Sequence, residues 1–575
     1  IHPQSPYFVG VLCFKTIFMT KILSIITIFL CVCTNTYLTL AQNSFYVAPN
    51  GNDSNVGSET APWRSFQKAA TTATAGSTVY LKAGTYNEKV VMGVSGTINN
   101  YITFRNYDSD NVVLDGTAVA GTILLKIHNK SYIRIQGIHL TNCIANDCQG
   151  ILIDGTSHHI EIVDNKISNI HFSANPNAVA NPNTNSQPLI VYGTSSTAIS
   201  DLLIAGNEIY NNRTGYSEAL AINGNVNGFV VRNNVVHDNT NIGIDIIGHE
   251  NTCPIDSLDQ ARNGQIRYNK VWKCSSPYAA AAGIYVDGGK NLQIENNEIA
   301  RCQYGIEIGC ENVGKNTSNI IVRNNILYRN AISCLALGGY DYPNGSGKVI
   351  NSLFYNNTCF QNDTANTYTG ELYLSYSENS QILNNILYAT NQKVFITKEF
   401  NSPQLNIDYN LYYFSANTPN QAEFSWSGND IVGFANYQNT TNNDAHAIFV
   451  RPNFVNTSLA DFHLLCSSPA IDAGNNTNQA EELDMDLGIR IINGIVDIGA
   501  DESVANGFVP NIIGNTIICS GNNTITYSTN NLAGATYSWT VTNGTIISGQ
   551  GTPIIQVVWN DANNAGTVQV VVEVQ

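Results

Sequence analysis

Charge is scarce in this chain, and positive charge scarcer still: 12% of its 575 residues are charged, with 27 basic against 43 acidic side chains and a formal net charge of -16. The basic stripe that a nucleic-acid partner requires is therefore missing. The acidic balance suits an exported soluble protein, or one that uses metal to meet anionic ligands. Of the 13 cysteines, Cys13, Cys31 and Cys33 lie in a leader read below as removed. The others contain no CxxC pair, so a zinc site is not indicated. Apolar runs long enough to span a bilayer are also lacking, which argues against a membrane anchor. The chain is too long for one compact domain by the usual size prior, although a solenoid escapes that limit by growing along its axis.

What the chain does have is a repeat. Eight segments place an apolar residue three positions before an asparagine and another two positions after it. The asparagines are Asn165, Asn207, Asn234, Asn269, Asn297, Asn325, Asn357 and Asn385; Ile162, Ile204, Val231 and Ile266 precede the first four, and Ile167, Ile209, Val236 and Val271 follow them. The spacing of 27 to 42 residues suits one supersecondary unit per repeat with loops of variable length. Each unit consists of short β-branched runs broken by Gly, Asn and Asp, which predicts strands and tight turns with little helix. Such a unit buries its apolar face only by stacking on its neighbours, which aligns the asparagines into a hydrogen-bonded ladder. The predicted fold is all-β: a right-handed parallel β-helix.

Along the chain, residues 1–18 read as sequence upstream of a start at Met19. Residues 19–41 read as a secretory signal peptide: Lys21 is the basic start, Ile22 to Val32 the apolar core, and Thr39-Leu40-Ala41 the cleavage site. The β-helix with its N-terminal cap is expected over 42–455, with regular coils to about Thr390, and a closing segment over 456–505. From 510 to 575 alternating strands around Tyr537-Ser538-Trp539 and Ile554-Ile555-Gln556-Val557 predict a small Ig-like β-sandwich. Cys274, Cys302, Cys334 and Cys359 sit on or beside repeat strands, where they can stack or form a disulfide.

The chemistry is expected where five segments align without gaps: Ala219–Asn223, Gly243–Ile247, Gly283–Asp287, Gly305–Gly309 and Cys334–Gly338. Alternation sends Ile244, Ile246, Ile284, Val286, Ile306 and Ile308 inward. It turns one row outward as Ala221, Asp245, Tyr285, Glu307, Ala336 and a parallel row as Asn223, Ile247, Asp287, Gly309, Gly338. Asp245, Asp287 and Glu307 thus share one patch. Like charges stacked that closely cost stability unless a cation, a proton or a substrate compensates. The turns leaving these strands add His249, Glu250, Lys290, Glu311, Tyr340 and Asp341, and the loop Asn251–Gly264 adds Arg262, so a walled groove is expected. Two chemistries fit it. In one, Ca²⁺ on Asp245, Asp287, Glu307 and Glu311 meets a uronate carboxylate while His249 or Lys290 removes the C5 proton. In the other, two of Asp245, Asp287 and Glu307 form a hydrolytic acid/base pair. Tyr285, Tyr340, Asp341 and Arg262 are the candidate substrate contacts. A third possibility is a non-catalytic glycan-binding or adhesive rod.

The stretch Phe45-Tyr46-Val47-Ala48-Pro49-Asn50-Gly51 through Trp63-Arg64-Ser65-Phe66 to Gly84-Thr85-Tyr86 resembles the opening coil and capping helix of secreted β-helix proteins of the pectate-lyase-like superfamily. That resemblance implies a polysaccharide-degrading enzyme acting as a monomer on an acidic polymer, and favours the calcium-assisted lyase over the glycoside hydrolase. The paired-arginine motif of the common pectate lyases and the NTD, DD and GHG signatures of polygalacturonases are not present. Ser468-Pro469-Ala470-Ile471-Asp472-Ala473-Gly474 and Val496-Asp497-Ile498-Gly499-Ala500-Asp501-Glu502 resemble the closing segments of secreted proteins of Bacteroidetes-like bacteria, which implies a Gram-negative source and an extracellular or cell-surface location. The last segment resembles a PKD-like module.

Overall fold

The structure is a computed structural model that describes residues 44–400, 402–477, 483–504, 510–515, 524–532, 535–560 and 566–573. The expected upstream segment and signal peptide lie outside the described residues. Three long parallel sheets of 15, 13 and 13 strands run side by side, and successive strands of the chain visit them in rotation. This is the expected right-handed parallel β-helix. Its coils continue past Thr390 through Val394–Lys398, Asn406–Asp408 and Leu411–Tyr413 to Ile448–Phe449.

The repeat folds this way because its two apolar positions fall on consecutive sheets. Ile162, Ile204, Val231, Ile266, Ile294 and Val322 stack as one interior row of the first sheet, and Ile167, Ile209, Val236, Val271, Ile299 and Leu327 as one of the third. All are buried, each worth about 1.5–3 kcal/mol relative to exposure. The asparagine between them turns inward at the corner. Asn207 Nδ2 donates to Asn234 Oδ1 at 2.9 Å, Asn234 to Asn269 at 3.0 Å, and Asn269 to Asn297 at 3.0 Å. The ladder runs on through Asn325, Asn357 and Asn385 to Asn410, and ends on Asp444, which accepts from Asn410 Nδ2 at 3.1 Å. A chain of amides donating in one direction needs an acceptor at its end, and a carboxyl oxygen supplies it.

A second interior ladder stands five residues further along each coil, between the third and second sheets. Asn212 donates to Asn239 at 2.8 Å and Asn330 to Asn362 at 2.8 Å, and this ladder too ends on a carboxylate, Glu371, at 2.7 Å. Cys274 and Cys302 take the two intermediate rungs and remain free thiols, whereas Cys334–Cys359 and Cys143–Cys148 are disulfides.

The near end of the solenoid is closed by the helix Phe66–Thr72, capped by Ser65 Oγ on Lys68 N–H and burying Phe66, Ala69 and Ala70. At the far end the hairpin Glu423–Trp426/Asn429–Val432 and the helix Phe434–Thr441 cover the last coils. The closing segment is tied along the helix by the asparagine that precedes each ladder residue. Asn296, Asn324, Asn356 and Asn384 adopt left-handed φ of 52° to 55° and donate to the carbonyls of Asp484, Leu483, Asp497 and Asn475. The C-terminal module packs antiparallel strands of two sheets around Tyr527, Tyr537, Trp539, Ile555, Val557 and Trp559. It is the expected small β-sandwich.

Candidate functional site: an acid cluster on the second sheet

The strands Leu220–Gly224, Ile244–Ile247, Ala282–Asp287, Tyr304–Gly309 and Ser333–Leu337 are neighbours in the second sheet. Ala221 pairs with Asp245, Asp245 with Tyr285, Tyr285 with Glu307, and Glu307 with Ala336. Asn223 pairs with Ile247 and Asp287 with Gly309. Rungs ~4.8 Å apart place Tyr285 between the two acids of its row, with Asp287 in the adjacent row.

Loops flank these strands. Tyr278, from the excursion after Ser275, stacks on Tyr216 at 4.8 Å and donates to the carbonyl of Gly215. The loop after Asn251 is held by Asp259, which accepts from Cys253 N at 2.7 Å. Ala281, from the first of these loops, packs against Tyr285, and Asp245, Asp287 and Tyr285 are only 3%, 5% and 5% exposed. Asp287 Oδ1 accepts from Glu311 N at 2.7 Å and the Tyr285 hydroxyl reaches Glu311 Oε1 at 3.3 Å. The phenol gets there by lying across Gly309, where an added Cβ would stand 3.1 Å from the hydroxyl oxygen. Asp245 Oδ1 is buried with no hydrogen-bond partner.

The electrostatics follow from crowding. Burial and then the neighbouring Glu218, Asp287, Glu311 and Glu307 push the Asp245 carboxyl well above the usual range. Burial, Glu311, Glu250 and Glu307 do the same to Asp287, although the Glu311 N–H opposes them. Burial and Glu311 carry Glu307 to about 8. Glu218, on the turn entering Leu220–Gly224, is also pushed to about 8, by burial and then by Glu311 and Glu250. Glu311 has an exposed edge, yet protein atoms crowd its carboxyl, and that desolvation with Glu250 raises it. The charges that shift these acids are all other carboxylates. The oxygens are not drawn into a tight cage: among the described residues, ligand sets within 4.8 Å of one another are Cys334–Cys359–Glu371, whose cysteines are disulfide-bonded, and His463–Asp486–Asp501 in the closing segment.

Asp245, Asp287, Glu307, Glu311 and Tyr285 thus come together, with Tyr340 on the rim, 53% exposed, its phenol raised by burial and then by Glu311 and Asp287. Asp341 is exposed beside it and accepts backbone bonds within its own turn. The nitrogen-bearing candidates lie apart. Lys290 and Arg262 are register partners in the first sheet, beyond the Gly288–Gly289 corner. The Arg262 guanidinium is used by Gln260 O at 2.8 Å, Leu258 O at 3.3 Å and Asn225 Oδ1 at 3.0 Å. His249 packs over Gly288, with Nε2 3.3 Å from Asn316 O; its charged neighbours are Lys315, Asp259 and Asp256, and burial lowers its pKa so that the ring stays neutral. Glu218 was not legible from strand alternation because it enters from a turn, three residues ahead of the row that begins at Ala221.

Residues 45–379 match the family described as Pel9A-like, right handed beta helix region, and residues 506–574 match the PKD-like domain. The protein YwoF of Bacillus subtilis (strain 168), itself described as uncharacterized, is 36% identical over 443 residues, 74% of this chain and 91% of its own length. Pectate lyase PEL9 of Emericella nidulans is 40% identical over 79 residues, 13% of this chain and 19% of that enzyme. The crystal structure of pectate lyase Pel9A aligns over 80% of this chain and 96% of its own, with 16% identity and a TM-score of 0.44.

Proposed function

Because the chain belongs to the Pel9A-like right-handed β-helix family, we propose that it is an exported, monomeric carbohydrate-active enzyme that cleaves a uronic-acid-containing polysaccharide by calcium-assisted β-elimination at the acid cluster, with the PKD-like module as a spacer. One observation carries the reading: two buried carboxyls, Asp245 and Asp287, and the half-buried Glu307 have only other carboxylates as charged neighbours, and Asp245 Oδ1 lacks any partner. An all-oxygen anionic donor set with an orphaned buried atom suits a hard divalent cation. Asp245, Asp287, Glu307 and Glu311 would hold Ca²⁺ only by drawing closer than they stand here, where no three of them offer oxygens within 4.8 Å of one another. The chemistry the ion would supply there is charge neutralisation of the acids and a lower cost of negative charge at C5 beside a substrate carboxylate.

The chain's own residues do the rest. The base that takes the C5 proton would be His249, which packs over Gly288 at the corner after Asp287, or Lys290, which stands on the first sheet beyond that corner. The C4–O bond then breaks to leave an unsaturated uronide. The Tyr285 phenol, held protonated by burial and by Asp287 and Glu307, is the hydroxyl available to the leaving oxygen.

A second reading rests on Glu218 and Glu307. Carboxyls at about 8 remain largely protonated near neutrality and can act as the general acid of a glycoside hydrolase opposite an ionised partner. Digestion of pectate, alginate and rhamnogalacturonan with and without chelator separates the two. Ultraviolet absorbance of unsaturated ends that disappears with chelator is the expected result. Reducing ends without that absorbance overturn the elimination in favour of hydrolysis, and neither product on any polymer leaves a glycan-binding rod.

A further inference from the structure

The outer face of the first sheet carries a hollow of about 590 Å³ that takes no part in the acid cluster. Its wall is the row Gly228, Asn263, Asn291 and Asn319, all at left-handed φ, and its floor is the outward row Val230, Gln265, Gln293 and Ile321, in register across four coils. The amides of both rows are linked rung to rung. Asn319 Nδ2 donates to Asn291 Oδ1 at 2.8 Å, Asn291 to Asn263 at 3.0 Å, Asn263 to Asn227 at 2.7 Å, and Gln265 Nε2 to Gln293 Oε1 at 3.2 Å. Each primary amide has two N–H groups and two lone pairs, so one bond along the ladder leaves further donors and acceptors at each rung.

Left-handed positions favour asparagine for reasons of backbone alone, which accounts for the wall. It does not account for Gln265 and Gln293, which sit in regular strand where an amide has no conformational advantage. Nor does it account for the recess over them, whose volume lies in the range of ligand sites. The one ionisable lining residue is Asp201, at the end of the row. Branched apolar side chains, Val230 and Ile321, close the floor at each end, where they can meet the C–H faces of a sugar ring.

We infer that this shelf is a second carbohydrate site, which holds an uncharged, hydroxyl-rich segment of a polysaccharide along the coil axis. The four rungs span ~14 Å at the usual strand spacing, and their repeat is close to the length of one pyranose unit, so successive sugars meet equivalent amides. The ligand differs in charge from that of the acid cluster, and the shelf retains polymer whether the cluster eliminates or hydrolyses.

The test is affinity electrophoresis of the full chain in chelator through gels containing soluble xylan, soluble galactan or polygalacturonate. The wild type is expected to be retarded by a neutral polymer. Gln265→Ala/Gln293→Ala is expected to lose at least about tenfold in that affinity, with its melting temperature and its turnover of short soluble substrate unchanged. Gln293→Glu, which keeps shape and adds charge, should weaken retention as well and carries the test if the double variant does not fold. Asp287→Asn should leave retention intact. The inference is overturned if neither neutral polymer retards the wild type, if the shelf variants are retarded as strongly as the wild type, or if Asp287→Asn abolishes retention.

Discussion

Replacing Glu307 by Gln should stabilise the cation-free protein, and by more at neutral than at acidic pH. A carboxyl that titrates at 4.5 when unfolded and at about 8 when folded binds its proton more tightly in the native state, so the unfolded chain holds fewer protons throughout that window and stability falls as pH rises through it. At about pH 7 the penalty for this one group is about 3 kcal/mol, and at about pH 5 about 1 kcal/mol, from 1.36 kcal/mol per unit of difference in pKa. Gln has nearly the same shape and no charge to desolvate, so Glu307→Gln should recover most of that. For a solenoid of more than 400 residues the unfolding entropy is ~1 kcal/mol per degree, so calorimetry in chelator should show a rise of about 3 °C near pH 7 and about 1 °C near pH 5. Calcium at about a hundred times its dissociation constant adds about 3 kcal/mol to whichever chain binds it. The wild type, with its full donor set, should gain more than the variant, and the difference between them should close. A variant no more stable than its parent at either pH, or an advantage that calcium leaves untouched, would refute the idea that the acid cluster opposes ionisation of Glu307 until a cation joins it.

Four further outcomes follow from the same geometry. Asn297→Ala removes the acceptor of Asn269 N–H and Nδ2 inside the ladder, and leaving buried donors unmet should cost about 2–4 kcal/mol in calorimetric or denaturant unfolding. Gly309→Ala places a methyl group against the Tyr285 hydroxyl; it should shift the phenol off Glu311 and lower turnover with little change in melting temperature. His249→Gln and Lys290→Met, assayed by product absorbance, separate the two candidate bases: the one that accepts the proton should lose at least about a hundredfold in turnover, the other little. His463 is raised to about 10 by its bonds to Asp486 at 2.6 Å and Asp461 at 2.5 Å. A raised base contributes fully below its unfolded value of 6.5 and loses that contribution as pH climbs through about 10, so His463→Gln should lower the melting temperature at about pH 6 and make progressively less difference in alkali.

The parts of this molecule that are readable from the chain are those that depend on alternation and fixed offsets. Ile162, Asn165 and Ile167 recur as a unit because a corner admits one inward amide between two interior apolar residues, and the same periodicity places Asp245, Tyr285 and Glu307 in one outward row. The second ladder follows the same offset rule, five residues past the first, but Cys274 and Cys302 occupy two of its rungs and hide the amide pattern. The outward asparagines, Asn296, Asn324, Asn356 and Asn384, explain the recurrent Asn-Asn pairs: one amide faces in and the other binds a segment from far along the chain. That partner is invisible to any local pattern. For the same reason Arg262, chosen for its charge, proves to be spent on loop carbonyls, while Glu218 reaches the cluster from a turn whose path no strand register predicts.

Buried acids elsewhere in the protein show what a completed site looks like. Asp444 receives Tyr412 Oη at 2.7 Å, Tyr437 Oη at 2.9 Å and Asn410 Nδ2 at 3.1 Å; Glu371 receives both the N–H and the side-chain amide of Asn362; Asp497 receives two backbone N–H groups at 2.7 Å. Each ends a ladder or ties a strap, and each is met by donors the fold supplies, as buried polar groups require. Asp245 is buried as deeply, yet one of its oxygens meets no donor and its charged neighbours are four more carboxylates. Among the acids of the described residues, Asp245 is the one left with a buried oxygen unmet. Apolar rows and amide ladders along the coils supply the stability that allows the cluster to be kept in that state, since local conflict with good packing is tolerated where a bound partner resolves it. In the elimination proposed above, a cation shared with an anionic substrate would bring the acids positive charge at the moment of binding, whereas a permanently placed lysine would have met that need in advance and left nothing for the substrate to complete.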